Sequence, residues 1–157
     1  MTVYNSTLYA QNQPAGTGHG FNQITQHLHA LVSVPSTLAA NDTLNFGYLP
    51  TGAIVVSMVL KAATQLDSNG SPTLTFDMGV VGTLQLFKAA ISTVGRAAGA
   101  SVDTGVTLAA AGYLYKNTTG VKQAIIGTVH AGAATAVAGT LELDMEYYIE
   151  DTVGSQA

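Results

Sequence analysis

No cysteine occurs in the 157 residues. Its absence removes a disulfide framework, a thiolate nucleophile and any Cys-ligated zinc site. Charge is almost as scarce. Asp, Glu, Lys and Arg together make up 9% of the chain, against about 25% in an average soluble protein. Apolar runs are short as well: the longest, "AIVV" at 53–56, ends at Ser57. A membrane-spanning helix needs roughly 18 to 20 apolar residues, so the sequence predicts a soluble protein with no membrane contact. The opening "MTVYNSTLYAQNQPAGTGHG" has neither a basic stretch nor an apolar run, and it does not read as a secretory signal.

Positive charge is thin and dispersed. Lys61, Lys88, Arg96, Lys116 and Lys122 stand singly, in a chain whose net charge is -4. Binding a phosphate backbone takes clustered cations, so nucleic acid is excluded as an expected partner. What the chain does have is apolar material, at 47%. High hydropathy with little charge is the reverse of the disorder signature, and the length suits one domain with a sizeable core. The polar surface must then be built from Thr, Ser, Asn, Gln and backbone. Solitary globules use charge to keep their copies apart. A surface this neutral predicts a chain packed against others.

Residues 1–23 form a compositional block that is rich in Asn, Gln, Thr, Ser and Gly and has no Lys, Arg, Asp or Glu. Tyr4, Tyr9 and Phe21 punctuate it without a helical or strand period. We read an extended N-terminal arm whose three aromatics are partner-binding anchors, docking on this chain or on a neighbour. Residues 24–157 are expected to form the folded domain.

In that domain the period is 2. Leu28, Ala30, Val32 and Val34 alternate with His27, His29, Leu31 and Ser33 in "QHLHALVSV", the pattern of a strand with one buried face. Leu44, Phe46 and Tyr48 are expected to share a face in "DTLNFGYLP", and "AIVVSMVLKA" reads as a central strand. The turn "DSNGSP" precedes "TLTFDMG", where Leu74, Phe76 and Met78 point inward. In "LQLFKAAIS", Leu84, Phe87 and Ile91 fit one helical face and predict a short helix or turn. "YLYKN" and "KQAIIGTVH" read as strands about the turn "NTTG". The clearest strand is "TLELDMEYYIE": Leu141, Leu143, Met145, Tyr147 and Ile149 inward, Glu142, Asp144, Glu146, Tyr148 and Glu150 outward. About eight short strands and no long amphipathic helix predict an all-β protein, an antiparallel β-sandwich or barrel.

Three groups of residues invite a chemical reading. Asp103-Thr104-Gly105 matches the loop of an acid protease. Such enzymes need two aspartates sharing a proton. The 18 residues at 106–123 are too few for the strand and flap hairpin that a dimeric protease places before its apolar strand, so the triplet is read as a turn. His27 and His29 share a strand face, yet the third ligand, His19 or His130, is not placed near them by anything in the sequence. They are read as a hydrated or interface face, and no metal is assigned. Glu142, Asp144 and Glu146 line one outer face, where they are solvated, pair with a neighbour's lysine, or guard an edge. No catalytic residue and no cofactor is assigned, and the protein is read as not an enzyme.

The run "LPTGAIVVSMVLKAATQLDSNGSPTLTFDMGVVGTLQLFKAA", residues 49–90, resembles capsid decoration (cement) proteins of tailed double-stranded DNA bacteriophages. The Leu-Pro-x-Gly-Ala turn into an apolar strand, the Asn/Gly-rich turn and the "TLTFDMG"-like strand carry the likeness, with "GYLY" and "LELDMEYYIE" further on. The resemblance extends in style over roughly 42–150. It implies a jelly-roll-like sandwich, a homotrimer, and a place in the virion on the outer capsid surface. There the protein would bind the major capsid protein and stabilise the shell by bridging its subunits. An alternative is a tail-fibre or spike domain binding a host glycan, with Tyr113 and Tyr115 as its aromatic platform.

Overall fold

The computed structural model describes residues 1–5, 25–96, 102–105 and 114–149. Among them are nine strands and no helix: β1 Val3–Asn5, β2 Gln26–Val34, β3 Thr43–Leu49, β4 Ala53–Ala62, β5 Thr75–Val80, β6 Thr83–Ile91, β7 Val102–Gly105, β8 Gln123–Ala131 and β9 Gly139–Ile149. One sheet runs β1-β3-β8-β5-β6 and the other β2-β9-β4-β7.

The order follows from one long hairpin folded over on itself. Leaving β1 aside, the first strand pairs with the last, β2 with β9, and the second with the second-last, β3 with β8. The nesting continues inward, β4 with β7 and β5 with β6. Rolling the hairpin brings β4 against β9 and β5 against β8, which closes two antiparallel sheets. This is the jelly-roll arrangement. The expected all-β, jelly-roll-like antiparallel sandwich is therefore observed. β1 adds one parallel pairing, with β3.

The inward residues of the period-2 strands fill the space between the sheets. Leu28, Val32, Leu141, Leu143, Met145 and Tyr147 come from one sheet, and Phe46, Phe76, Met78, Phe87 and Ile125 from the other, all 2% exposed or less. Each such side chain contributes about 1.5–3 kcal/mol by leaving water, and this burial holds the sheets face to face.

Bulges in β3, β4 and β6 re-phase the side chains of those strands. In β3 the register shifts between Asn45 and Gly47, so Leu49 enters the core and Tyr48 turns to the outside. In β4 a shift between Val55 and Ser57 exposes Val56, after which Met58, Leu60 and Ala62 face inward. The stretch expected to be helical is β6. From Thr83, opposite Val80, to Lys88, opposite Met78, β6 takes five steps where β5 takes two. Phe87 and Ile91 are buried four residues apart, a spacing produced by an irregular strand and not by a helical turn.

Two buried aspartates organise what the strands leave irregular. Asp77 faces outward from β5, yet it is 5% exposed. Its Oδ1 accepts the N–H of Ala90 at 2.7 Å, and its Oδ2 accepts Gln85 Nε2 and meets His130 Nδ1, both at 2.9 Å. It thereby ties the bulged β6 to β8. Asp67, fully buried in the turn before β5, accepts backbone N–H groups from Asn69, Thr73 and Leu74 and, across the fold, from Ala134 and Thr135. A backbone N–H buried without an acceptor is costly. One carboxylate here serves five.

Val102–Gly105 is a strand, paired antiparallel with β4, so Asp-Thr-Gly is not a turn. Of "YLYKN", the described part contains a single bridge, Lys116 to Ile54. Asn117 of the "NTTG" turn is buried, and its Nδ2 donates to the carbonyls of Leu49, Pro50 and Val121.

Candidate interaction surface

Strand alternation sends β2, β9 and β4 side chains outward in three cross-strand rungs. His27, Glu146 and Ser57 form one, His29, Asp144 and Val59 the next, and Leu31, Glu142 and Lys61 the third. β9 lies between β2 and β4, so its acids are on a central strand and do not guard an edge. They sit between histidines on one side and a lysine on the other.

The partners are close. His29 Nδ1 and Asp144 Oδ1 share a hydrogen bond of 2.7 Å, and Glu142 Oε1 is 3.5 Å from the same nitrogen. Lys61 Nζ donates to Asp144 Oδ2 at 2.8 Å. His27 Nε2 lies 3.7 Å from Glu146 Oε1, while Ser57 donates to Glu146 Oε2 at 3.1 Å. Burial pushes the Asp144 carboxyl up, and the bonds and charges of Lys61 and His29 more than reverse this, so it stays below the ordinary carboxylate value. The acids that line up along β9 are thus partnered within the same chain.

His29, Glu142 and Asp144 offer one ligand atom each, all within 4.8 Å of one another. Sequence spacing puts His27 and His29 on one strand face and leaves a third ligand to His19 or His130. His130 belongs to the other sheet, paired with Asp77, and His19 lies outside the described residues. The missing neighbours are the acids of β9. The shared outward phase of β2 and β9 was legible, but their pairing register was not.

Away from this face, Lys122 Nζ lies 4.4 Å from the centre of the Tyr48 ring. Together with Val81, Val121 and Gln123 they line an open cleft of about 330 Å³. Val81 and Val121 are 59% and 65% exposed. The ring of Tyr115 meets Phe87 edge-on at 5.9 Å, and its hydroxyl donates to Gln123. Tyr113 lies outside the described residues.

Of the three arm aromatics, Tyr4 is described. It belongs to β1 and is partly buried against this chain's own core. The buried Asp42 helps seat that strand, its Oδ1 accepting the N–H of Thr2 at 2.8 Å and its Oδ2 that of Ala39 at 3.0 Å. Tyr9 and Phe21 lie outside the described residues.

No protein-family model and no curated protein matches the chain. Two solved structures are similar over nearly its whole length. A chain of the capsid asymmetric unit of cyanophage Pam1 is 32% identical with a TM-score of 0.72, the match covering 92% of this chain and 98% of that one. A chain of the capsid of Ralstonia phage GP4 is 26% identical with a TM-score of 0.75, over 95% of this chain and 99% of that one.

Proposed function

Because this chain belongs to a family of phage capsid-associated proteins, we propose that it is a decoration protein, bound to the outer surface of the shell and bridging neighbouring major capsid protein subunits. Its role in the virion is structural. The observation that carries the finer reading is the match to the Pam1 capsid chain across 98% of that chain's length: the whole jelly roll, and not a fragment of it, is what the shell component shares. The scarcity of charge, 9% of residues, supports a surface that spends its time against other protein.

In this reading the working form is a homotrimer, and the role involves no reaction. Each copy adds buried area across a junction that internal pressure would otherwise open, and many copies per particle multiply a small gain at each site. Residues 1–23 act as an attachment arm. Tyr4, among its first residues, lies in β1 on this chain's own sheet, and Tyr9 and Phe21, between β1 and the domain, serve as anchors on the capsid or on a neighbouring copy.

The test mixes purified protein with particles that lack it and sediments them. Wild-type protein is expected to co-sediment to saturation, and Tyr9→Ala/Phe21→Ala to do so more weakly with its β-sheet circular dichroism unchanged. Light scattering should give three times the chain mass. Absence of co-sedimentation overturns the decoration reading, equal binding of the variant overturns the arm, and a stable monomer at micromolar concentration overturns the trimer.

A further inference from the structure

We propose that His29, Asp144 and Glu142 form a binding site for a divalent transition-metal ion of the zinc class, on the outer face of the four-stranded sheet. The inference stands on the geometry of that face and is independent of the capsid role.

Zinc holds imidazole nitrogen and carboxylate oxygen at about 2.0–2.2 Å in a tetrahedron, which places neighbouring ligand atoms roughly 3.3–3.5 Å apart. His29 Nδ1 and Glu142 Oε1 are already 3.5 Å apart. His29 Nδ1 and Asp144 Oδ1 are held at 2.7 Å by the hydrogen bond they share. Replacing that proton by an ion calls for an opening of less than about 1 Å, within reach of a small side-chain rotation. All three ligand atoms fall within 4.8 Å of one another.

The positions are set by backbone, not by loops. His29 and Asp144 are direct cross-strand partners in a ladder unbroken from Gln26↔Tyr147 to Val34↔Gly139, and Glu142 follows two residues along on the same face. Such neighbours have their Cβ atoms about 4.5–5.5 Å apart, or a diagonal step further. The His29 side chain is 55% exposed, so the fourth position opens to water.

Charge and ligand type choose the ion. Two carboxylates and a neutral imidazole balance a dication. Imidazole suits zinc, copper and nickel, whereas calcium takes six to eight oxygens that this face does not gather. The competitor is Lys61, whose ammonium bonds Asp144 Oδ2 at 2.8 Å. Its charge opposes the ion, so removing it should tighten binding. A bound ion would link the edge strand β2 to the central strand β9, adding a clip where the sheet ends.

The experiment is calorimetric titration of the full-length, metal-stripped protein with zinc chloride near neutral pH. We expect one saturable site per chain in the micromolar range, weakened on the order of 10-fold or more by His29→Ala or Asp144→Asn. Lys61→Met should bind more tightly than wild type. His19→Ala, His27→Ala and His130→Ala should bind as wild type does, and calcium chloride should give no saturable heat. Circular dichroism verifies that each variant is folded, and His29→Gln replaces His29→Ala if the latter is not. Lack of saturation by 1 mM zinc (about 4 kcal/mol of binding free energy) overturns the proposal. So does wild-type affinity in the folded His29 variant, or calcium binding as strong as zinc, which would mark an unselective acidic face.

Discussion

The Oδ2 atom of Asp67 accepts the backbone N–H of Ala134, a residue 67 positions later in the chain, at 3.0 Å. The same carboxylate accepts N–H groups of its own turn from Thr73 at 2.8 Å and Leu74 at 3.1 Å, so one buried side chain joins the loop before β5 to the loop before β9.

Asp67→Asn should therefore be costly although the shapes match. The amide presents an NH₂ to backbone groups that are themselves donors, and several lose their acceptor inside the protein. Bonds to a charged acceptor are worth about 1.5–3 kcal/mol each, and buried orphans cost about as much. We expect a loss of about 3 kcal/mol or more, read from the urea midpoint at constant slope.

The same site sets an acid limit. Burial pushes the Asp67 carboxyl up, and the N–H groups of Thr135, Ala134, Thr73 and Leu74 outweigh it, bringing the group from 3.8 down to about 2. A carboxyl depressed in the folded state adds stability that is complete above its unfolded value. That stability is lost as pH falls from there towards the folded value. Asp67 should contribute about 2 kcal/mol that disappears between roughly pH 4 and pH 2. Asp77 and Asp144, also lowered, act with the same sign. Melting temperatures across that window should fall with acid, and a carboxyl NMR titration of Asp67 should have its midpoint near 2. A midpoint near 4 would contradict the assignment.

Neighbours on β9 should behave oppositely. Met145 is 1% exposed, paired with Leu28 on one side and Met58 on the other. Met145→Asp buries an unpaired charge and should cost about 4 kcal/mol or unfold the protein. Glu146 points outward, and glutamine keeps an oxygen for the Ser57 hydroxyl. Glu146→Gln should stay within about 0.5 kcal/mol. Thermal melts of the pair decide this, and two equal shifts would overturn the facing of the strand.

Close approach of β5 and β6 makes a second contrast. A Cβ on Gly79 would lie 2.1 Å from the carbonyl oxygen of Thr83, and one on Gly70 would meet nothing within 4 Å. Backbone cannot move aside as a flexible side chain can. Gly79→Ala should cost about 3 kcal/mol, while Gly70→Ala should be neutral within about 0.5 kcal/mol, in chemical denaturation.

Much of this protein is written locally. Alternation in 26–34 and 140–149 specified two strands and their buried faces, because a period of 2 matches the pleat and a strand slipped by one residue would bury its acids. The turn at 67–72 was equally legible, as was the likeness of 49–90 to phage capsid-associated proteins.

Tertiary structure decided the rest. The sequence 84–92 has helical spacing, but β5 and the buried Asp77 carboxylate hold it as a bulged strand, and long-range pairing outweighs a weak local preference. Tyr48 and Leu49 exchanged faces because one inserted residue re-phases every side chain after it. Asp67 looked like an ordinary turn residue, since its distant partners are backbone groups, which no side-chain pattern reveals. Likewise, His29 met Asp144 through the β2–β9 register, 115 positions apart. Which strands pair is fixed by how the two apolar faces close over one core, a property of the rolled chain that no stretch of it carries alone.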